Sequence, residues 1–131
     1  NLFGDILSDE ASVIAGSKGL MSSASVGEKH SLFEPIHGSY FEAKNKNCAN
    51  PIASVLSAAM LLEHFGLSKE SQTVIEAVEK AIINHIVTVD LKVDSKFGTN
   101  EVGDYIANYI LSKGDLYFKM DNVNLGQSTI V

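Results

Sequence analysis

Two aspartates near the start of the chain, Asp5 and Asp9, have the spacing of a metal-binding pair. They lie in a segment whose apolar residues recur at helical intervals. Side chains at positions i and i+4 of a helix lie on one face, so both carboxylates could contact the same cation. Oxygen ligands of this kind suit Mg²⁺ or Mn²⁺. On spacing alone, an ordinary solvated helix surface is the simpler interpretation.

A polar loop at residues 37–50 is the second candidate for chemistry. His37 offers a ring that can stack or hydrogen-bond, Gly38 lets a flat group approach the backbone, and Glu42 could accept hydrogen bonds from a ribose diol. The G-x-G-x-x-G phosphate turn of a Rossmann domain is absent. A ligand loop and an ordinary surface connection both fit this composition.

A helix over residues 1–15 must carry the two aspartates, and a pair of strands precedes the loop. The opposite side of this helix is apolar and is expected to pack on a core, through Leu2, Phe3, Ile6, Leu7, Val13 and Ile14. Residues 23–26 and 31–36 are expected to form short strands, the second stopped by Pro35.

Three helices are predicted after the loop from their capping residues. Asn50 caps the first of them, with Pro51 at its first position, and Gly66 ends it. Ser68 and Thr99 are the predicted caps of the next two, the last ending near Gly114. Residues 87–93 are rich in β-branched side chains and predict a short strand between them.

Composition and the length of 131 residues indicate one globular domain, or one domain plus a short extra segment. Its ten basic residues, against sixteen acidic ones, give a net charge of −6 without a basic block, which argues against nucleic acid and anionic membranes as partners. No apolar stretch approaches the length of a membrane span, and no signal peptide is expected. The single cysteine, Cys48, predicts a packing residue in a reducing cytoplasm.

The chain contains lysine but no arginine, so it lacks the planar fork that usually holds small carboxylates and phosphates. An anionic substrate would have to be held mainly by other residues. Because the first residue is Asn1 and a helical pattern starts there at once, we expect a C-terminal piece of something longer.

Several long motifs resemble the isocitrate and isopropylmalate dehydrogenase family of β-decarboxylating enzymes, and its isopropylmalate branch most of all. They are NLFGDILSDEASV at 1–13, SASVG at 23–27, FEPIHGS at 33–39 and ANPIASVLSAAMLL at 49–62, followed by TNEVGD at 99–104. The resemblance extends over about residues 1–112 in order. It implies an α/β, isopropylmalate dehydrogenase-like fold, with helices packed on a mixed sheet, of which this chain is the C-terminal portion.

The resemblance also implies a domain division. Residues 1–15 would be the metal-bearing helix of the smaller, dimer-forming domain, and residues 16–114 the C-terminal part of the nucleotide-binding domain. Residues 115–131 are expected to be a tail or an edge strand. A homodimer is implied, with the active site shared between subunits.

By the same resemblance, Asp5 and Asp9 match metal ligands for Mg²⁺ or Mn²⁺, and the loop matches an NAD-binding segment. Its implied cofactor residues are His37, Gly38, Ser39, Tyr40, Phe41, Glu42, Ala43, Asn45 and Asn50. Tyr40-Phe41-Glu42 replaces the usual Ala-Pro-Asp, and Asn45 replaces a usual glycine. A carboxylate at position 42 would repel a 2′-phosphate and so favours NAD over NADP.

The implied reaction is oxidation of a small 2-hydroxy acid by hydride transfer to NAD, followed by loss of its β-carboxylate as CO₂. The expected substrate is 3-isopropylmalate, converted to 2-oxoisocaproate in leucine biosynthesis. A sister enzyme for tartrate, D-malate, homoisocitrate or isocitrate is the near alternative, and a non-catalytic NAD-binding regulatory subunit is the other. No catalytic residue is expected within this chain, which alone should show little or no turnover.

Overall fold

Four α-helices and one pair of β-strands form the part of the chain that the computed structural model describes, residues 2–114. In chain order they are α1 (Leu2–Ala15), β1 (Ser22–Val26), β2 (Ser31–Pro35), α2 (Ile52–His64), α3 (Ser68–Ile83) and α4 (Thr99–Gly114). Short 3₁₀ turns lie at Lys18–Leu20 and Phe41–Ala43. The tail or edge strand expected at 115–131 lies outside the described residues.

The two strands form an antiparallel ribbon. Ser22 lies opposite Pro35 and Val26 opposite Ser31, and the Gly27 N–H donates to the His30 carbonyl oxygen at 3.1 Å across the turn. Helix α2 packs against both strands. The α/β class is thereby confirmed, although within residues 2–114 the sheet consists of this antiparallel pair and shows none of the parallel pairing of a mixed sheet.

The core lies between α2, α3 and α4. It contains Ile52, Ala77, Val78, Ala81, Val102 and Ile106. Small residues let α2 and α3 approach each other, and where they meet the Ser71 hydroxyl donates to the Ala59 carbonyl oxygen at 2.9 Å. Among residues 2–114, no helix combines the length and apolar character needed to cross a membrane.

The apolar side of α1 is exposed, so its predicted packing on a core is wrong for the described part of the chain. The exposed fractions run from 53% at Ile6 to 92% at Ile14 and include Leu2, Phe3, Leu7 and Val13. Helix α1 contacts chiefly the Lys18–Leu20 turn, and Ser12 is its one buried residue.

The strand predicted at residues 87–93 is wrong. This segment forms turns, in which the Leu91 and Lys92 N–H groups donate to the Thr88 carbonyl oxygen at 3.1 and 3.2 Å. Val87 and Thr88 are buried at 4% and 0% exposure. Their β-branched side chains therefore fill the interior instead of pairing in a sheet.

Three of the five predicted helix ends are confirmed, among them the end of α4 at Gly114. The Asn50 Oδ1 accepts from the Ile52 N–H at 3.0 Å, as an N-cap does, although α2 begins at Ile52 and Pro51 lies just before it rather than at its first position. Gly66 adopts φ +76° after α2, and the Leu67 N–H donates back to the Leu62 carbonyl oxygen at 3.0 Å. Both ends of α2 are fixed by residues adjacent in sequence.

The predicted caps Ser68 and Thr99 are wrong. Each is the first residue of its helix rather than the cap before it. The Ser68 hydroxyl donates to Glu63 Oε1 at 2.9 Å, and the Thr99 hydroxyl donates to the Ala49 carbonyl oxygen at 2.6 Å. Partners outside the helix thus take both hydroxyls.

Candidate functional site

The predicted cofactor loop, residues 37–50, joins β2 to α2, and its first half faces solvent. Every side chain from His37 to Glu42 is exposed, with Tyr40 at 63% and Phe41 at 78%. Ala43, at 7% exposure, packs inward after the short turn at Phe41–Ala43. The loop therefore presents two aromatic rings, a histidine and a carboxylate without burying them in the described chain.

Gly38 stands in open space. A Cβ placed there would meet no atom within 4 Å, and its φ is outside the left-handed region. Neither packing nor backbone conformation within residues 2–114 therefore requires glycine at this position. The side chain of His37 lies over its neighbour, with Nδ1 3.1 Å from the Gly38 carbonyl oxygen.

Two asparagines give the loop its bend. Asn45 has φ 62° and Asn47 has φ 51°, both in the left-handed region. Apart from glycine, asparagine is among the residues that adopt this conformation most readily. Asn45 therefore keeps a backbone conformation that glycine would also allow.

The second half of the loop is fixed to other elements. The Thr99 N–H donates to the Asn47 carbonyl oxygen at 3.2 Å, which joins the loop to the start of α4. The Asn50 Nδ2 donates to Asp90 Oδ2 at 3.0 Å while its Oδ1 caps α2. The Asn50 amide is thus held at both ends.

Asp90 is a functional candidate that sequence reasoning missed. Its Oδ2 accepts from the Ser17 hydroxyl at 2.7 Å as well as from Asn50, and its Oδ1 accepts from the Thr88 hydroxyl at 2.5 Å. One carboxylate therefore joins the segment after α1, the end of the cofactor loop and the turn before α4. Asp90 was hidden within the predicted strand, where the rarity of aspartate in strands was the available signal.

The surroundings of Asp90 favour its ionised form. Partial burial raises the pKa of this carboxyl, but the hydrogen bonds from Thr88, Asn50 and Ser17 together outweigh it and leave the pKa below the ordinary value of 3.8.

A Cβ on the neighbouring Gly19 would lie 2.9 Å from Asn50 Cβ and 3.0 Å from Asp90 Oδ2. Glycine at position 19 therefore leaves room for this pairing.

The predicted metal ligands Asp5 and Asp9 lie one turn apart on α1. Asp9 Oδ1 is 2.8 Å from Lys18 Nζ, with both side chains about half exposed. Within residues 2–114, no three or more His, Cys, Asp or Glu side chains come together as a metal cluster. Two carboxylates fit part of a Mg²⁺ or Mn²⁺ shell, and a cation there would compete with Lys18 for Asp9.

Comparison with known proteins gives this geometry a context. The sequence profile described as Isocitrate/isopropylmalate dehydrogenase matches residues 1–106. The chain belongs to the isocitrate/isopropylmalate dehydrogenase family. It is 50% identical over 112 residues to a 3-isopropylmalate dehydrogenase of Bacteroides fragilis, an alignment that covers 84% of this chain and 32% of the relative.

Other members of the isocitrate/isopropylmalate dehydrogenase family also match. A homoisocitrate dehydrogenase of Methanocaldococcus jannaschii is 50% identical over 113 residues, covering 86% of this chain and 32% of the relative. A crystal structure of isocitrate dehydrogenase from Methylococcus capsulatus superposes with a TM-score of 0.80 at 40% identity, covering 84% of this chain and 33% of the other. The chain thus spans about a third of the length of these relatives.

These family comparisons confirm the resemblance and the fold. A β-decarboxylating dehydrogenase of Thermococcus kodakarensis superposes with a TM-score of 0.76 at 40% identity, over 90% of this chain and 35% of the other. The names of the relatives specify three different substrates, isopropylmalate, homoisocitrate and isocitrate. The relatives therefore share a family and differ in the substrate that their names specify.

Proposed function

We propose that this chain is the C-terminal third of an NAD-dependent, Mg²⁺- or Mn²⁺-dependent enzyme that oxidises and decarboxylates 3-isopropylmalate to 2-oxoisocaproate, in leucine biosynthesis. The observation that carries the proposal is the family match over residues 1–106, together with 50% identity to a 3-isopropylmalate dehydrogenase. In this proposal residues 16–114 complete the nucleotide-binding domain, and α1 belongs to the smaller domain.

The cofactor loop supplies the contacts to NAD. His37 packs against the adenine, and Gly38 lets the cofactor approach the backbone, which explains a glycine that nothing in residues 2–114 requires. Glu42 accepts from the ribose hydroxyls and repels the 2′-phosphate of NADP. The exposure of Ser39, Tyr40 and Phe41 agrees with this role, since these side chains face solvent in the described chain.

Asp5 and Asp9 supply two carboxylates to a divalent cation. The exposure of both side chains and their spacing of one helical turn support this role, and Lys18 keeps Asp9 oriented in the absence of the ion. When bound, the cation supplies a Lewis acid to the substrate oxygen. The remaining ligands, the arginines that hold substrate carboxylates and the proton-transfer groups come from sequence outside this chain.

A homodimer completes the site in this proposal. The exposed apolar side of α1 supports it, because six large apolar side chains on one helix face are typical of a surface covered by a partner. We further propose that the enzyme is cytoplasmic, since its single cysteine suits a reducing compartment.

Homoisocitrate is the second candidate substrate. A homoisocitrate dehydrogenase is as identical to this chain, at 50%, as the isopropylmalate enzyme is. The two substrates share the 2-hydroxy acid and the β-carboxylate and differ in the side chain, which groups outside this chain would contact.

A substrate panel tests the proposal. The full-length enzyme, with Mg²⁺ and NAD, should show its highest kcat/KM for 3-isopropylmalate among isopropylmalate, homoisocitrate, isocitrate, D-malate and tartrate. A higher value for another of these acids would transfer the assignment to that substrate. Binding of NAD without turnover of any acid would support a regulatory subunit instead.

A further inference from the structure

Asn47 joins the cofactor loop to the first turn of α4 through both ends of its side-chain amide. Its Oδ1 accepts from the Asn100 N–H at 2.8 Å, and its Nδ2 donates to Glu101 Oε2 at 3.0 Å. Its carbonyl oxygen accepts from the Thr99 N–H at 3.2 Å. The cap of α4 therefore comes from a loop about fifty residues earlier in the chain.

The α4 side of this contact is shaped to receive the loop. Glu101 Oε2 also accepts from the Gly98 N–H at 2.9 Å, which fixes the carboxylate in front of Asn47. A Cβ at Gly98 would lie 2.1 Å from the Asn47 carbonyl oxygen, so any other residue there would push the loop away. The Thr99 hydroxyl adds a hydrogen bond to the Ala49 carbonyl oxygen at 2.6 Å.

Backbone hydrogen bonds connect Asn47 to the exposed half of the loop. The Lys46 N–H donates to the Ala43 carbonyl oxygen at 3.0 Å, and the Lys44 N–H donates to the Phe41 carbonyl oxygen at 3.1 Å. Two overlapping turns thus run from Phe41 to Lys46, the residue directly before Asn47. Holding Asn47 consequently restricts where Glu42 and its neighbours lie.

His85, which lies outside the cofactor loop, provides an internal comparison. It shares the left-handed backbone conformation, with φ 57° against 51° at Asn47. Its exposed side chain makes no hydrogen bond within the described part of the chain. Glycine at either position would keep the backbone conformation, but only at position 47 would it remove side-chain hydrogen bonds.

We propose that Asn47 is a positioning residue for NAD binding, acting as a latch that holds the cofactor loop against residues 98–101. This inference rests on the proposed function, because it assumes that the loop binds NAD. The latch keeps the loop in one arrangement before NAD binds. Less conformational entropy is then lost when the loop binds the cofactor.

The test compares Asn47→Gly with His85→Gly in the full-length enzyme. Asn47→Gly should raise the KM for NAD about five- to tenfold, the size expected for losing one or two hydrogen bonds, with kcat within about twofold. Amide hydrogen exchange at residues 38–49, measured without NAD, should speed up in the same variant. His85→Gly should change neither quantity. A general loss of folding would instead affect the KM for the hydroxy acid and kcat as well.

Glu101→Ala removes the other end of the latch and carries the test if Asn47→Gly fails to fold. Equal values for Asn47→Gly and His85→Gly in both measurements would overturn the proposal, as would faster exchange without a change in the KM for NAD. If the wild-type enzyme neither binds nor reduces NAD, the proposed function fails and with it the cofactor role. The exchange comparison then still decides whether Asn47 holds the loop.

Discussion

Glu42 and Asp9 are the two side chains whose charge matters most for the proposed binding of NAD and of the divalent cation. Both are exposed and acidic, Glu42 in the cofactor loop and Asp9 on α1. The substitution that tests each role therefore changes the charge of the side chain.

Replacing Glu42 with lysine should narrow the preference for NAD over NADP. The carboxylate accepts from a ribose diol and repels a 2′-phosphate, whereas an ammonium group attracts that phosphate. The ratio of kcat/KM for the two cofactors in the full-length enzyme measures the effect, and a shift of about tenfold or more is expected. Glu28→Lys, an exposed acid in the turn between β1 and β2, is the matched control. An unchanged ratio in Glu42→Lys would remove the residue from the ribose site.

Replacing Asp9 with asparagine should raise the Mg²⁺ concentration needed for half-maximal activity about tenfold or more, because a charged ligand is lost. A metal titration of the full-length enzyme measures this. Glu10→Gln, which neutralises the neighbouring exposed acid on the same helix, should leave the titration unchanged. Equal titrations for Asp9→Asn and wild type would exclude Asp9 as a ligand.

Helices and helix ends that depend on neighbouring residues could be predicted from the sequence. Contacts between residues that are far apart in the sequence could not. The helices after the loop were predictable because their apolar residues follow the helical period, and Asn50 and Gly66 act on residues beside them. The cap of α4 was not, because Asn47 comes from another part of the chain. Asp90 was missed for the same reason, since Ser17 and Asn50 approach it only in the folded chain.

Asp90→Asn should destabilise the fold by roughly 1 kcal/mol at pH 7, because hydrogen bonds from three donors lose their charged acceptor. The pKa of Asp90 is lowered in the folded chain, so its contribution is present above the ordinary value of 3.8 and is lost as the pH falls through the folded value. Urea unfolding at pH 7 and at pH 3 measures the free energy of unfolding. The difference in this free energy between Asp90→Asn and wild type should be smaller at pH 3 than at pH 7. Asp94→Asn, whose carboxylate lies 4.0 Å from Lys92 Nζ and is mostly exposed, is the control. Equal effects of the two substitutions at pH 7 would contradict the role of Asp90.

At the scale of the whole molecule, the sequence shows which side of α1 is apolar and not what covers it. The helical period located Leu7 and Ile14 on one side correctly, but the described chain leaves them 71% and 92% exposed. A groove of about 500 Å³ between the β1–β2 ribbon and helices α2 and α3 includes Phe33, Leu56 and Ile75 and none of the proposed cofactor or metal residues.

Leu7→Glu should dissociate the proposed homodimer. A charge on the exposed apolar side of α1 would be buried without a partner in the dimer, at a cost of several kcal/mol. Sedimentation of the full-length enzyme should show a monomer, while Ile83→Glu, at a similarly exposed residue on α3, should leave a dimer. A Leu7→Glu enzyme that sediments as wild type would place the interface elsewhere.

The stoichiometry of the reaction tests directly whether the full-length enzyme is an oxidative decarboxylase. The full-length enzyme, given Mg²⁺, NAD and 3-isopropylmalate, should form NADH and CO₂ in equal amounts, and chelation of the metal should stop both. The 131-residue chain alone should form neither, because substrate-holding and proton-transfer groups lie outside it. NADH formed without CO₂, or no metal-dependent NADH at all, would contradict the assignment of this chain to an oxidative decarboxylase.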